Sequence, residues 1–331
     1  MEKRIRKKIE LLAPAGSIES VKKAIEANCD SLYMGGKKFG ARAFAKSVEE
    51  DSIIEAIEYS HKYNKKIYLT INTLFKDNEI CEIEDYTKNI VEAKVDGFIV
   101  ADFGAAKILK YLYPHIPLIA STQMTVASSK SINLLEKMGF SEVVLSRELS
   151  ISEIKKIKKE LKNDIKLECF IHGSMCYCFS GACLYSSFIG GESGNRGRCK
   201  GPCRLPYSKN NGKVKNNEKY LLSMKDMCAL SSLYDLIKIG IDTLKIEGRM
   251  RSEKYVYEVV KVYRKYIDSI YEYIEKNDEK DENTEKNIYK NYNLNIINDE
   301  KYLLNVYNKG GFTNYYDKHN DIDMIQRYER K

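Results

Sequence analysis

The chain has no tryptophan, only four histidines and five prolines in 331 residues. It also lacks any apolar run near the roughly 18 residues that a membrane-spanning helix needs, which excludes that class. The basic start, Met1-Glu2-Lys3-Arg4, is not followed by the apolar stretch and small-residue cleavage site of a secretory leader. Peptide hydrolysis finds no specific support: there is no His-Glu-x-x-His helix, no Gly-x-Ser-x-Gly elbow, and no Cys–His pair with an identifiable third orienting group. Charge of one sign is not abundant either. The balance is 55 basic against 47 acidic residues, a net +8, which permits an RNA partner without demanding one. Cysteine, by contrast, is plentiful. Nine thiols, an odd number, in a chain expected to be cytoplasmic point to metal or redox use in a reducing compartment rather than to disulfides.

Up to residue 273 one pattern recurs: a short apolar run, then an amphipathic helical stretch. The runs are Glu10–Ala15, Ser31–Gly35, Lys66–Asn72, Gly97–Asp102, Leu118–Gln123, Glu142–Arg147, Ile165–Ile171 and Thr243–Glu247. Between them, Ile18–Ala27, Asp51–Tyr63, Ile80–Ala93 and Ile151–Leu161 carry apolar residues three and four apart, and Glu253–Tyr273 closes the series. Ser17, Asp51, Ser150 and Asp226 are candidate helix caps. Alternation at this spacing means parallel βαβ units, and eight of them predict a (β/α)8 TIM-like barrel over residues 1–273; a doubly wound open sheet is the rival. A Cys- and Gly-rich insertion, 172–219, follows strand seven. Residues 274–300 read as a charged linker or helix extension. Residues 301–331 read as a short β tail, with strands expected at Tyr302–Tyr307 and Gly310–Phe312.

Seven of the nine cysteines fall between Cys169 and Cys228. Cys29, Cys81 and Cys169 read as packing residues, and Cys178 as structural. Cys176, Cys183, Cys199 and either Cys203 or Cys228 form the candidate metal set. Their spacing matches neither a zinc ribbon nor a ferredoxin run, so iron–sulfur and zinc both stay open. Cys228 is expected at a helix N-terminus, which would stabilise a thiolate.

Barrel enzymes draw functional groups from the C-terminal ends of strands. Those ends here offer Asn72, Asp102, Gln123, Arg147, Glu148, Glu168, His172, Lys245, Glu247 and Arg249. Glu247 and Arg249 straddle a glycine and suit a carboxylate-bearing small molecule, with Lys245, Gln123 and Arg147 as further ligand contacts; a barrel-mouth salt bridge is the plainer reading. His172 is either a proton donor or partner of the metal site, or a structural histidine. Residues 196–215 hold seven basic side chains (Arg196, Arg198, Lys200, Arg204, Lys209, Lys213, Lys215) and no acidic one. Such a stripe suits RNA phosphates, with Tyr177, Phe179, Tyr185 and Tyr207 available to stack a base; a solvated basic loop is the alternative.

Glu168-x-Phe170-x-x-Gly173-Ser174-Met175-Cys176, followed by Gly181-x-Cys183, resembles the signature of the collagenase-like peptidase family known as "U thirty-two". Leu11–Gly16, Ser223–Cys228 and Leu244–Arg249 resemble it too, so the likeness covers residues 9–273. The resemblance implies a [4Fe–4S] cluster and oxygen-independent hydroxylation: 5-hydroxyuridine in tRNA with prephenate as a hydroxyl source, 5-hydroxycytidine in 23S rRNA, or ring hydroxylation in anaerobic ubiquinone synthesis. It maps Cys176, Cys183 and Cys199 onto cluster ligands and leaves the fourth between Cys203 and Cys228. Longer members continue beyond the Asn308–Phe312 stretch, so a short or truncated tail is expected. The resulting expectation is an iron–sulfur RNA hydroxylase with tRNA or rRNA as partner and prephenate or a similar carboxylate as co-substrate. A peptidase and a cluster-bearing partner subunit of a homologous enzyme are the alternatives.

Overall fold

The computed structural model describes residues 8–41, 48–207, 220–277, 283–316 and 324–327. In chain order the strands are β1 (Glu10–Ala15), β2 (Ser31–Met34), β3 (Lys66–Ile71), β4 (Gly97–Val100), β5 (Leu118–Ala120), β6 (Glu142–Val144), β7 (Lys166–Gly173), β8 (Tyr220–Met224), β9 (Asp226–Cys228), β10 (Thr243–Ile246), β11 (Phe312–Thr313) and β12 (Ile325–Arg327). The helices are α1 (Ile18–Glu26), α2 (Glu50–Lys62), α3 (Asp77–Ile80), α4 (Ile83–Glu92), α5 (Phe103–Leu112), α6 (Ser129–Lys137), α7 (Ile151–Glu160), α8 (Tyr185–Gly190), α9 (Leu233–Ile239), α10 (Glu253–Lys276), α11 (Thr284–Asn291) and α12 (Ile296–Val306).

Strands β1 to β7 pair in sequence, all parallel, and β10 pairs in parallel with both β7 and β1. The second pairing closes the ring. That excludes the open doubly wound sheet and makes the fold an eight-stranded TIM-like α/β barrel. The strands read as continuous apolar runs because both faces are covered, by the barrel interior and by the helix ring; β2, β4 and β10 are buried along their whole length. Helix starts follow local chemistry. Ser17 Oγ accepts the Ser20 amide at 3.2 Å, and Ser150 forms a reciprocal capping box with Glu153 at the start of α7. Behind the first cap, Val21, Ala24 and Ile25 turn one apolar face of α1 onto the barrel.

Several elements differ from expectation. Asp51 lies inside the first turn of α2, whose cap position is Glu49. The helix expected over 80–93 is α4, Ile83–Glu92; Ile80 instead ends the single turn α3, which Glu79 caps at its start by accepting the Lys76 amide at 2.8 Å. Asp226 caps no helix: Asp226–Cys228 is β9, antiparallel to the end of β7 with His172 opposite Cys228, and α9 begins at Leu233. The described residues of the charged stretch 274–300 include the end of α10, all of α11 and the start of α12. Ile288 is fully buried there, so one apolar position in four suffices to seat a polar-looking helix. Tyr302–Val306 is helical too, within α12, where Asn295 caps by accepting the Asn298 amide at 3.0 Å. Among the described residues of the tail, Phe312–Thr313 and Ile325–Arg327 are the strands. Cys29 and Cys169 are core residues as expected; Cys81 is exposed, its thiol donating to the Asn78 carbonyl.

Candidate functional site

An open cavity of about 180 Å³ occupies the C-terminal mouth of the barrel. Its lower wall comes from strand ends: Tyr33, Thr70, Asn72, Ile99, Ser121, Gln123, Arg147, Phe170, Lys245, Glu247 and Arg249. Lys245 stands at the floor, its ammonium 2.6 Å from Glu168 Oε1 and 4.4 Å from the Tyr33 ring centroid. Glu168 is wholly buried, and burial, opposed by Lys245, raises its carboxyl above the ordinary range. Arg249 donates from Nη1 to Thr70 Oγ1 at 2.8 Å, crossing Gly35 so closely that a Cβ there would lie 1.8 Å from the same nitrogen. Arg147 lies over Phe170, 5.1 Å from the ring centroid, and donates to the Ser174 carbonyl at 2.9 Å and to Cys176 Sγ at 3.7 Å. Three cations and one carboxylate, Glu247, therefore line a predominantly apolar bowl. That composition is chemically suited to an anionic molecule with an apolar body.

The insertion between β7 and α9 roofs the bowl, and it is pinned at several points. Ser180 donates its amide and hydroxyl to Glu148 Oε1, at 2.9 and 3.1 Å, and its carbonyl accepts from Thr125 at 2.6 Å. Gly181, at φ +76°, lies on the backbone of Gln123, where a Cβ would meet the carbonyl oxygen at 2.3 Å. Asn195 donates to the Gly181 carbonyl at 2.9 Å. Arg196 grips Glu79 with both terminal nitrogens, at 2.9 and 2.5 Å, and holds that carboxyl down at about 2. Arg204 reaches inward to Ser223 and to the carbonyls of Met175 and Met224.

These anchors bring Cys176, Cys178, Cys183, Cys199 and Cys203 onto one side of the cavity. Cys199 Sγ accepts the Gly201 amide at 3.3 Å. Burial, and then the Cys183 thiol beside it, pushes Cys178 up to about 11; burial raises Cys203 as well. Among the described residues no three His, Cys, Asp or Glu side chains stand in ready-made metal geometry. The donor set nonetheless fits an iron–sulfur group in type and number: soft thiols on a glycine-rich loop, with an amide and a guanidinium donating to sulfur.

Of the candidate residues, the structure brings Asn72, Gln123, Arg147, Lys245, Glu247, Arg249, Cys176, Cys183, Cys199 and Cys203 to the cavity. Asp102, Glu148, Glu168, His172 and Cys228 do not line it. His172 is buried on the helix side of β7 among Tyr255, Tyr263 and Phe312, with Nδ1 3.2 Å from the Tyr263 hydroxyl. Burial lowers its pKa to about 3, so it is a neutral packing histidine and not a proton donor at the mouth. Cys228 is buried in β9, its sulfur 3.6 Å from the Tyr263 hydroxyl, and has no helix N-terminus beside it. Asp102 caps α5 through the Ala105 amide at 2.9 Å. The basic stripe divides: Arg196 and Arg204 are clamps, Arg198 and Lys200 are exposed, and Lys209, Lys213 and Lys215 lie outside the described residues. Tyr185 and Tyr207 stack on each other, their centroids 6.3 Å apart. Sequence reasoning missed Tyr33, Thr70, Phe170 and the cavity role of Cys178. The first three are mid-strand residues whose inward direction depends on register, and Cys178 differs from Cys176 only by two positions.

A parallel α/β barrel whose mouth is roofed by a five-thiol insertion is the class that fold and site define. The chain belongs to peptidase family U32, whose profile matches residues 16–314. It is similar to "tRNA hydroxylation protein P1" of Bacillus subtilis (strain 168), 37% identical over 273 residues, covering 80% of this chain and 64% of that protein. It is similar also to "23S rRNA 5-hydroxycytidine C2501 synthase" of Escherichia coli (strain K12), 38% identical over 267 residues, covering 80% of this chain and 40% of that protein. The chain thus spans between two fifths and two thirds of the length of these relatives. Among solved structures it resembles "The Structure of the U32 Peptidase Mk0906", with a TM-score of 0.50 and 13% identity over 75% of this chain and 96% of that one, a likeness of fold.

Proposed function

We propose that this chain is an iron–sulfur enzyme that hydroxylates a pyrimidine base of RNA, in tRNA or 23S rRNA, in the reducing setting of the cytoplasm. The observation that carries the reading is the convergence of four thiols, Cys176, Cys183, Cys199 and Cys203, on a cavity whose floor presents Arg147, Lys245 and Arg249. Cys203 is the fourth ligand on this reading, since Cys228 is buried behind β7. A bound [4Fe–4S] group supplies one-electron chemistry. The chain's own residues do the rest. Arg249, held by Thr70, binds the carboxylate of a small co-substrate of the prephenate type, while Phe170 and Tyr33 cover its apolar body. Asn72 and Gln123 hydrogen-bond an inserted base, which Tyr177 and Phe179 at the rim can stack. The supporting relatives are named for RNA hydroxylation, and the sequence lacks a recognisable hydrolytic constellation.

Anaerobic purification tests the cluster: about four irons per chain are expected. Alanine at Cys176, Cys183, Cys199 or Cys203 should abolish the brown colour, whereas alanine at Cys228 should keep it. A colourless protein with one tightly held zinc overturns the cluster. Nucleoside mass spectrometry of RNA from a deletion strain tests the activity. Loss of a hydroxypyrimidine is expected; unchanged RNA nucleosides would favour a partner role or another substrate instead, and cleavage of gelatin by the purified chain would restore the peptidase reading.

A further inference from the structure

Helix α8 departs from the usual surface pattern. Leu184, Phe188 and Ile189 are 60%, 82% and 57% exposed. Tyr185 lines the cavity, while Ser186 is buried against the insertion. Residues 184, 185, 188 and 189 are three or four apart, so they share one helix face. That face forms an apolar track from the cavity rim, at Tyr185, outward to Phe188 and Ile189. It is not a loose end: Lys200 donates its amide to Ser186 Oγ at 3.0 Å and its ammonium to the Gly190 carbonyl at 3.2 Å, fixing a cation at the far end of the helix. Arg198 is exposed two residues earlier. Between His172 and Tyr207 the sequence holds Arg196, Arg198, Lys200 and Arg204 against one carboxylate, Glu192.

We propose that this track is a stacking platform for unpaired nucleotides flanking the base that enters the cavity, with Phe188 as the principal ring and Lys200 and Arg198 meeting the adjoining phosphates. The inference rests on the RNA reading above and deepens it. A flat ring this exposed loses little by stacking on a base, since every base offers a π-face, and Lys200, tied to Ser186 and Gly190 of the same helix, sets a cation where an adjoining phosphate can reach it. A double helix is a poor fit, because its bases are already stacked. A protein or a second copy of this chain would use the apolar face and gain nothing from the net positive border.

The test is fluorescence anisotropy of the anaerobically purified protein with a short RNA hairpin bearing an unpaired loop, and with the same RNA annealed into a full duplex. The wild type should prefer the hairpin. Phe188→Ala should raise the hairpin Kd about five- to a hundred-fold at fixed salt and leave the slope of log K against log salt unchanged; Phe188→Trp should restore affinity. Lys200→Ala should reduce that slope by about one. An unchanged Kd for Phe188→Ala beside a binding wild type overturns this inference alone. Wild-type protein that binds no RNA overturns the RNA reading as well. A wild-type dimer in sedimentation that Phe188→Ala converts to monomer makes the track an interface between copies, and the proposal fails.

Discussion

Lys245 and Glu168 illustrate how little room the barrel interior leaves for a single change. The pair is almost fully buried, with Lys245 Nζ 2.6 Å from Glu168 Oε1, and Glu168 Oε2 has no hydrogen-bond partner among the described residues. Lys245→Met leaves a carboxylate stranded in the core, and the expected loss is about 3–5 kcal/mol in urea unfolding. The double change Lys245→Met with Glu168→Leu should recover most of it, since both charges leave together. Glu142 lies in the same interior, also buried. Burial first, then the charge of Glu168, raises its carboxyl from 4.5 to about 8. The folded protein therefore holds a proton that the unfolded chain releases, so this group favours folding below 4.5 and the benefit declines as pH rises toward 8. Glu142→Gln should flatten the fall in stability between pH 5 and 8, a window set by those two values and measured by denaturant midpoints at each pH. His172 shows what a single sequence cannot disclose. Its neighbour Gly173 begins the loop over the cavity, yet its own side chain meets Tyr263 of α10, and its strand partner Cys228 lies 56 residues further on.

At the level of elements, two glycines separate folding from function. The atoms nearest a Cβ on Gly35 would be the far end of the Arg249 side chain and Thr70 Oγ1. Gly35→Ala should thus leave the melting temperature within a few degrees while weakening carboxylate binding at least about ten-fold in calorimetry, the cost of one displaced charge-assisted contact. Gly181→Ala acts differently. Its backbone is left-handed and the obstacle is the Gln123 carbonyl, so the roof itself must lift. Hydrogen exchange should then accelerate across 176–204 while β1 to β6 stay protected. The eight barrel strands were legible as buried apolar runs because a parallel sheet covered on both faces leaves no alternation to confuse. β9 was not: Asp226-Met227-Cys228 before Ala229-Leu230 suits a helix start equally well, and only the long-range pairing with β7 decides. The same is true of α12, whose Tyr302-Leu303-Leu304 looks like a strand until Asn295 caps it seven residues upstream.

Across the whole molecule the tail behaves as a buckle on the barrel. Phe312 packs edge-on against His172, Lys309 donates to Ser174 Oγ at 2.8 Å, and Tyr316 donates to the Phe170 carbonyl. A chain ended after Tyr307 loses all three, uncovers His172, and should melt about 4 °C or more lower in calorimetry. The grouping of the thiols was readable from density alone, since an irregular loop is the natural place to gather side chains from distant positions. Which thiol stands apart was not, because Cys228 is separated by a strand rather than by sequence distance. Ring closure by β10 carries one last consequence, for the order of events during synthesis. Cys176 to Cys203 leave the ribosome before Thr243–Ile246, the strand that completes the barrel. Five thiols are thus made before the bowl they roof exists, and for the time needed to add some forty residues they have no closed barrel to rest on. Any oxidant or stray metal ion that reaches them in that interval meets thiols the finished barrel does not yet hold.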